Sequence, residues 1–250
     1  MKRRALLIEA AKVKGLDYLP GAEADIRNYQ QYLCSIAGGC WQQTEIRTLS
    51  KPSRNQLQTE IRTAERDAEY LFISFSGHGY MKRYPNQFPR PTENQLTMLC
   101  LNDSEEIPVS DINPTIKNFL IADSCRGFEQ VMEKAMVFAE ALTDSARSTR
   151  EEVARRLFDD AVRSAEAGQI LAYSCGVNES AGDDANSGGY FSSAMMECGI
   201  TLSSSGHQRA ISTREVFDCA YHIVKSKAAQ QNPQYSAGRR MRHFPFAVRS

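Results

Sequence analysis

Two short motifs in this chain carry side chains that could do covalent chemistry. Ser76-Gly77-His78-Gly79 places an imidazole between glycines, and Asp123-Ser124-Cys125-Arg126-Gly127 places a thiol in a polar turn. A thiol and an imidazole in one cleft suit acyl chemistry: the sulfur adds to a carbonyl carbon and the ring moves the protons. The oxyanion that forms needs donors, and backbone N–H groups beside the nucleophile can supply them. Those of Gly79 and Cys125 are the candidates, and Gly79 has no side chain to obstruct a substrate carbonyl. Taken singly, Cys125 reads as a core thiol and His78 as a hydrogen-bonded turn residue. Their matching places at two strand ends favour catalysis over both readings.

Each motif must be positioned by the run before it. Tyr70-Leu71-Phe72-Ile73-Ser74-Phe75 and Asn118-Phe119-Leu120-Ile121-Ala122 are apolar, of strand length, and read as strands buried on both faces of a parallel sheet. If they are neighbours, their ends lie roughly 5–10 Å apart, at the carboxyl edge where open α/β sheets bind ligands.

The rest of the chain alternates in the same way. Residues 5–10 read as a first strand, and a polar loop follows with Pro20-Gly21 as its turn. A helix carries Ile26, Tyr29, Leu33 and Ile36 on one face and stops at Gly38-Gly39. Residues 45–49 form a short strand, and Ser53 with Gln56 resembles a capping box for the next helix. Residues 80–95 read as a long loop beside the site, 96–101 as a short strand, and Asp111 as the cap of a brief helix. Residues 127–168 are a helical excursion in two pieces, the second capped by Thr149 and Glu152 and supported by the pairs Glu151/Arg155 and Glu152/Arg156. After it come a strand at 169–174, a glycine- and acid-rich loop at 176–189, and a short helix at 190–198. A last helix opens at Ser212 with Glu215, and 244–248 closes the chain as a strand. This order predicts one α/β domain over 1–250, a mostly parallel sheet of about six strands with helices on both faces.

Composition sets the remaining bounds. The net charge of the 250 residues is zero, so nothing global points to nucleic acid. No apolar run is long enough to span a membrane. The start Met1-Lys2-Arg3-Arg4 imitates an export signal, but Glu9 interrupts its apolar part, so a buried first strand is expected instead. The seven cysteines are odd in number and scattered, which with no export signal predicts reduced thiols and a cytoplasmic location. Cys34, Cys40, Cys100, Cys175, Cys198 and Cys219 read as packing residues, and His207, His222 and His243 as surface or helix residues. No Cys/His spacing fits zinc. The acids Asp103, Glu105, Glu106, Asp183 and Asp184 show no calcium-ligand spacing, so neither metal nor cofactor is expected.

With these residues in view, the chain resembles the caspase and metacaspase cysteine peptidases. The two motifs look like that family's paired signatures, with the histidine about fifty residues before the cysteine. Leu19-Pro20-Gly21-Ala22-Glu23-Ala24-Asp25 is similar to its first loop-to-helix junction. Ala172-Tyr173-Ser174 with Gly188-Gly189-Tyr190-Phe191 resembles its small-subunit strand, loop and helix, and Gln231-Asn232-Pro233-Gln234 resembles its end.

The resemblance implies a three-layer α/β/α sandwich with a large-subunit-like part (1–126), a linker (127–168) and a small-subunit-like part (169–250). It implies a peptidase acting on protein or peptide substrates: Cys125 attacks, His78 protonates the leaving amine, Gly79 and Cys125 hold the oxyanion, and no third triad member is required. It also implies departures. Where animal caspases grip a substrate aspartate with a glutamine and two arginines, this chain has Asp123, Asp183 and, in the first loop, Leu19. A pocket lined by Asp123, Asp183 and Ser174 would repel a P1 aspartate and attract arginine or lysine, as metacaspases do. Self-cleavage near Arg147 or Arg150, a regulatory protein partner and a role in antiphage cell death belong to the same family likeness. The competing readings are an Asp-specific protease, a catalytically silent binding module and a peptide ligase working through the same thioester.

Overall fold

The computed structural model describes residues 1–83, 95–127 and 147–250. Its elements in chain order are β1 (Arg3–Ala10), α1 (Pro20–Cys34), β2 (Ile46–Ser50), α2 (Arg54–Asp67), β3 (Tyr70–Gly77), β4 (Gly79–Arg83), β5 (Gln95–Cys100), β6 (Glu106–Pro108) and β7 (Lys117–Asp123). Then come α3 (Arg147–Ser164), β8 (Gln169–Tyr173), β9 (Asp183–Asp184), β10 (Gly188–Gly189), α4 (Tyr190–Ser203), β11 (Arg209–Ser212), α5 (Thr213–Lys227), β12 (Gln234–Ser236) and β13 (Pro245–Arg249).

The central sheet has six strands in the order β12-β8-β7-β3-β1-β2. All neighbours are parallel except β12, which runs antiparallel to β8 at the edge. β3 and β7, the strands that lead into the two motifs, lie side by side as expected, in register from Tyr70 opposite Lys117 to Ser76 opposite Asp123. Alternate residues of β3 feed two cores. Tyr70 and Phe72 pack with Tyr29, Phe119, Phe158 and Phe246 under α1, α3, α4 and α5. Leu71, Ile73 and Phe75 pack with Leu57, Ile61 and Leu99 under α2 and the small antiparallel sheet β4-β5-β6. Side chains of one strand point alternately to the two sides, so a strand covered on both sides must be apolar throughout. The result is the three-layer α/β/α sandwich.

Several local expectations change. Residues 79–83 are a strand rather than loop, paired with β5; residues 84–94 of the expected loop lie outside the described residues. Asp111 is the last residue of a single 3-10 turn, Val109–Asp111, not the cap of a helix. Helix α3 begins by Arg147, so Thr149 lies inside it; the first half of the excursion lies outside the described residues. Arg155 bonds Glu45 of another element. Helix α4 runs on to Ser203. The closing strand β13 is not in the central sheet but pairs antiparallel with β11, and the sixth central strand is β12. Cys198 and Cys219 are joined in a disulfide between α4 and α5, which corrects the expectation of separate packing thiols. Among the described residues no helix is long and apolar enough to cross a membrane, and no group of three or more His, Cys, Asp or Glu side chains could hold a metal ion.

Candidate active site

The register of β3 and β7 brings the two motifs together. Ser76 faces Asp123 as the last pair, and each chain goes two residues further to reach His78 and Cys125. Neighbouring strands run about 5 Å apart, so the two residues leave the sheet side by side. Gly79 tightens the approach: a Cβ there would lie 2.6 Å from Ser124 Oγ and 2.8 Å from Met98 O, so only glycine fits against the residue before Cys125.

The imidazole is oriented by backbone. His78 Nε2 lies 2.7 Å from the carbonyl oxygen of Asp17, in the loop between β1 and α1. A carbonyl only accepts, so Nε2 carries the proton and Nδ1 is left for chemistry. This third member has no side-chain signature, because any residue type offers a carbonyl. The thiol, half-buried, has its own partner: Cys125 Sγ accepts from Ala181 N at 3.3 Å, and its proton faces Ala181 O at 3.8 Å. Burial pushes the Cys125 thiol up, and the nearby Asp123 and Asp183 carboxylates push the same way against the Ala181 bond. The Cys125 amide makes no hydrogen bond among the described residues, which leaves it free for an oxyanion.

Beside the dyad stand three carboxylates. Asp123, the last residue of β7, is buried and accepts from Ser192 N at 3.0 Å and Ser192 Oγ at 2.6 Å, at the start of α4. Asp183, half-buried, accepts from Gly21 N at 3.1 Å. The third is Asp25 in α1, 0% exposed, accepting from Ser76 Oγ at 2.5 Å and Gly189 N at 3.0 Å. Gly189 joins all three. It donates to Asp25, its strand partner is Asp183, and a Cβ on it would lie 2.3 Å from Asp123 Oδ2. Every one of these donors is neutral. Among the described residues no Lys, Arg or His forms an ion pair with Asp25, Asp123 or Asp183. Burial raises Asp25 well above the ordinary carboxylate range, and the Asp123 charge adds to it. Burial also raises Asp123 and Asp183.

Asp25 was missed by the sequence reading, which placed the first-loop contact at Leu19 and the buried face of the helix on Ile26, Tyr29 and Leu33. The signal is an acid within the stripe Ala22, Asp25, Tyr29, Tyr32, all four buried. The expected Ser174 is buried, but its hydroxyl is taken by the backbone of Ser124, accepting from Ser124 N and donating to Ser124 O, both at 3.1 Å. It braces the Ser124–Cys125 turn and lies beside the Asp123 carboxylate. The loop that carries Ala181 and Asp183 is held from behind by Gln231, which donates to Ser174 O at 2.8 Å and accepts from Gly182 N at 3.1 Å. Asn232 adds bonds to the Glu179 carboxylate at 2.7 Å.

Comparison with known proteins agrees with the fold. The profile of the family described as the caspase domain matches residues 2–244. The crystal structure of protein GSU0716 from Geobacter sulfurreducens superposes with a TM-score of 0.64 at 18% identity, covering 100% of each chain. That of caspase-1 from Spodoptera frugiperda gives 0.57 at 12% identity, over 94% of this chain and 87% of that one. At such identities these likenesses speak to the fold alone. No curated protein matches the sequence.

Proposed function

The chain belongs to the caspase-domain family of cysteine peptidases, and from that premise we propose that it is an endopeptidase cutting after P1 arginine or lysine with a His78–Cys125 dyad. The observation that carries the specificity is the set of three carboxylates around Gly189, held by neutral donors and, among the described residues, lacking a cation. Buried charge without a counter-charge is costly. A guanidinium or ammonium entering from the substrate would relieve that cost, whereas a P1 aspartate would meet like charge.

The geometry supports a specific sequence of steps. The substrate carbonyl enters beside Gly79 and the free Cys125 amide. Cys125 Sγ bonds to the carbonyl carbon while the thiol proton passes to His78 Nδ1. The oxygen that gains the electron pair is met by backbone N–H groups. The C–N bond then breaks, the same proton goes from Nδ1 to the leaving amine, and a thioester remains. Water adds to the thioester, giving its proton to Nδ1, and the thiol leaves with it. Throughout, the Asp17 carbonyl holds the ring by its other nitrogen.

The test uses matched fluorogenic peptides ending in Arg, Lys or Asp. Cleavage of the Arg and Lys peptides is expected, and it should vanish in Cys125→Ala. Preferred cleavage after Asp would overturn the pocket assignment, and undiminished cleavage by Cys125→Ala would overturn the dyad. Self-cleavage near Arg147 or Arg150 is part of the same proposal; a wild-type chain found at its full uncleaved mass, as Cys125→Ala should be at its own, would rule it out.

A further inference from the structure

Behind the nucleophile, the Arg126 side chain turns inward. It is 6% exposed, and its guanidinium stacks on Tyr173 at 4.0 Å. Nε donates to Thr97 Oγ1 at 3.0 Å, and Nη1 donates to Cys175 O at 3.2 Å and Gln234 Oε1 at 2.6 Å. All three acceptors are neutral. Among the described residues Arg126 forms no ion pair. Glu179, whose charge reaches it through space, spends its carboxylate on Gly176 and Asn232. Among the described residues Nη2 has no hydrogen-bond partner, yet it is not sealed in the interior.

Arg126 lines a cavity of about 220 Å³ together with Met81, Leu96, Thr97, Tyr173 and Val177. That is several times the ~30 Å³ that one water takes in the liquid. One part of its wall is cationic and much of the rest is aliphatic. Val177, 42% exposed, is one of the few large apolar side chains the surface shows.

We infer that this cavity binds a carboxylate on a short aliphatic stem, with the acid on Arg126 Nη2 and the stem against Met81, Leu96 and Val177. An inward-facing guanidinium nitrogen with two spare N–H groups and no carboxylate bonded to it among the described residues is what a carboxylate pairs with best. A neutral ligand would bring no charge to pair with it. The site is tied to the nucleophile: Arg126 N donates to Glu179 O and Asn178 N to Arg126 O, both at 2.8 Å, and the same loop continues to Ala181, which holds Cys125 Sγ. The carboxylate can come from a free small acid or from a glutamate side chain of a protein.

The test reads binding, not peptidase activity, so it stands apart from the P1 assignment. The melting temperature is titrated at constant ionic strength with butyrate, with its neutral analogue butyramide, and with N-acetylglutamic acid amide. A saturable rise with the carboxylates and none with butyramide is expected. Arg126→Met should weaken the response at least about tenfold, as expected for losing a hydrogen bond to a charged group. Ser110→Phe, an exposed lining position, should block the cavity while keeping the arginine. Tighter binding of the glutamate analogue assigns the natural source to a protein side chain, and tighter binding of butyrate assigns it to a free acid. No saturable rise, an equal rise with butyramide, or a rise unchanged in Ser110→Phe would overturn the site. Should Arg126→Met not fold, the Ser110→Phe and butyramide results still decide.

Discussion

Both ends of the central sheet bury charge, and they treat it in opposite ways. At the amino end of β1, Arg3 is enclosed by Trp41 and Phe158 at 4.5 and 4.9 Å. It pairs with Asp159 at 3.3 Å and Glu45 at 3.5 Å and donates to the carbonyls of Gly39 and Cys40. Arg155 and the Met1 amino group join the same cluster. Burial pushes the Glu45 carboxyl up, but bonds from Arg155 and Gln42 and the Arg3 charge win and hold it below its ordinary value. At the carboxyl end of β3 and β7, Asp25, Asp123 and Asp183 receive only neutral donors and are all held above theirs. The first cluster completes its own pairing and so serves the fold. The second stops short of a cation, and that deficit is what a basic substrate residue would fill.

The contrast can be broken at either end. The largest effect is expected from Arg3→Met, which leaves Asp159 and Glu45 with only their outer partners, the Met1 amino group and Arg155, and takes the Arg3 donor from the Gly39 carbonyl: a stability loss of about 3–5 kcal/mol in denaturant titration, with the Arg-to-Lys cleavage ratio unchanged. A changed ratio would mean that the two ends are not separate in role. Asp123→Asn should do the reverse. Cleavage of the Arg peptide should fall about 10²-fold in kcat/KM, from the loss of a desolvated charge contact, while the melting temperature of the free protein holds or rises. A stability loss comparable to that of Arg3→Met would make Asp123 a structural acid.

Gln231→Ala probes the scaffold between these extremes. It leaves Ser174 O and Gly182 N without their buried partner, at about 1–3 kcal/mol for each, and it should lower stability and kcat/KM together. Normal cleavage in a destabilised variant would show that the loop keeps its geometry unaided.

Acidification sharpens the contrast further. The folded pKa values of Asp25 and Asp123 lie above their unfolded ones, so the folded protein binds more protons in the window between them. Their contribution to stability is present below the ordinary carboxylate pKa of about 3.9 and is lost as pH rises through the raised values. The wild type should therefore gain melting temperature on Asp25→Asn/Asp123→Asn as pH falls from neutral, while KM for the Arg peptide rises. A difference independent of pH would remove the case for strained acids. The smallest effect belongs to Asp183→Asn: its half-buried carboxylate is partly screened, and a loss of about threefold to tenfold for the Arg peptide is expected.

Much of this was legible in one dimension because it depends on short-range pattern. Tyr70–Phe75 and Phe119–Ala122 are apolar at every position or nearly so, which only a strand covered on both faces requires. Their polar ends therefore mark the same sheet edge. Asp25 was not legible in that way. Its role depends on α1 docking its Ala22–Asp25–Tyr29 stripe against Ser76 and Gly189, groups far away in the chain. β12 was not read as a strand, and β13 was assigned to the central sheet, for a related reason. Three residues at a sheet edge carry almost no pattern, and the apolar Phe246–Val248 reads as a central strand although it packs beneath one face with β11.

Residue order alone determined the layered α/β architecture, the pairing of an imidazole with a thiol, and the acidic position two residues before the nucleophile, because periodicity and motif spacing are properties of the chain itself. Tertiary structure alone decided which backbone carbonyl orients His78, which third acid joins Asp123 and Asp183, and which buried acids are left without a cation among the described residues. Those are relations between segments, and whether a charge is neutralised depends on what the fold sets beside it, not on which residue precedes it.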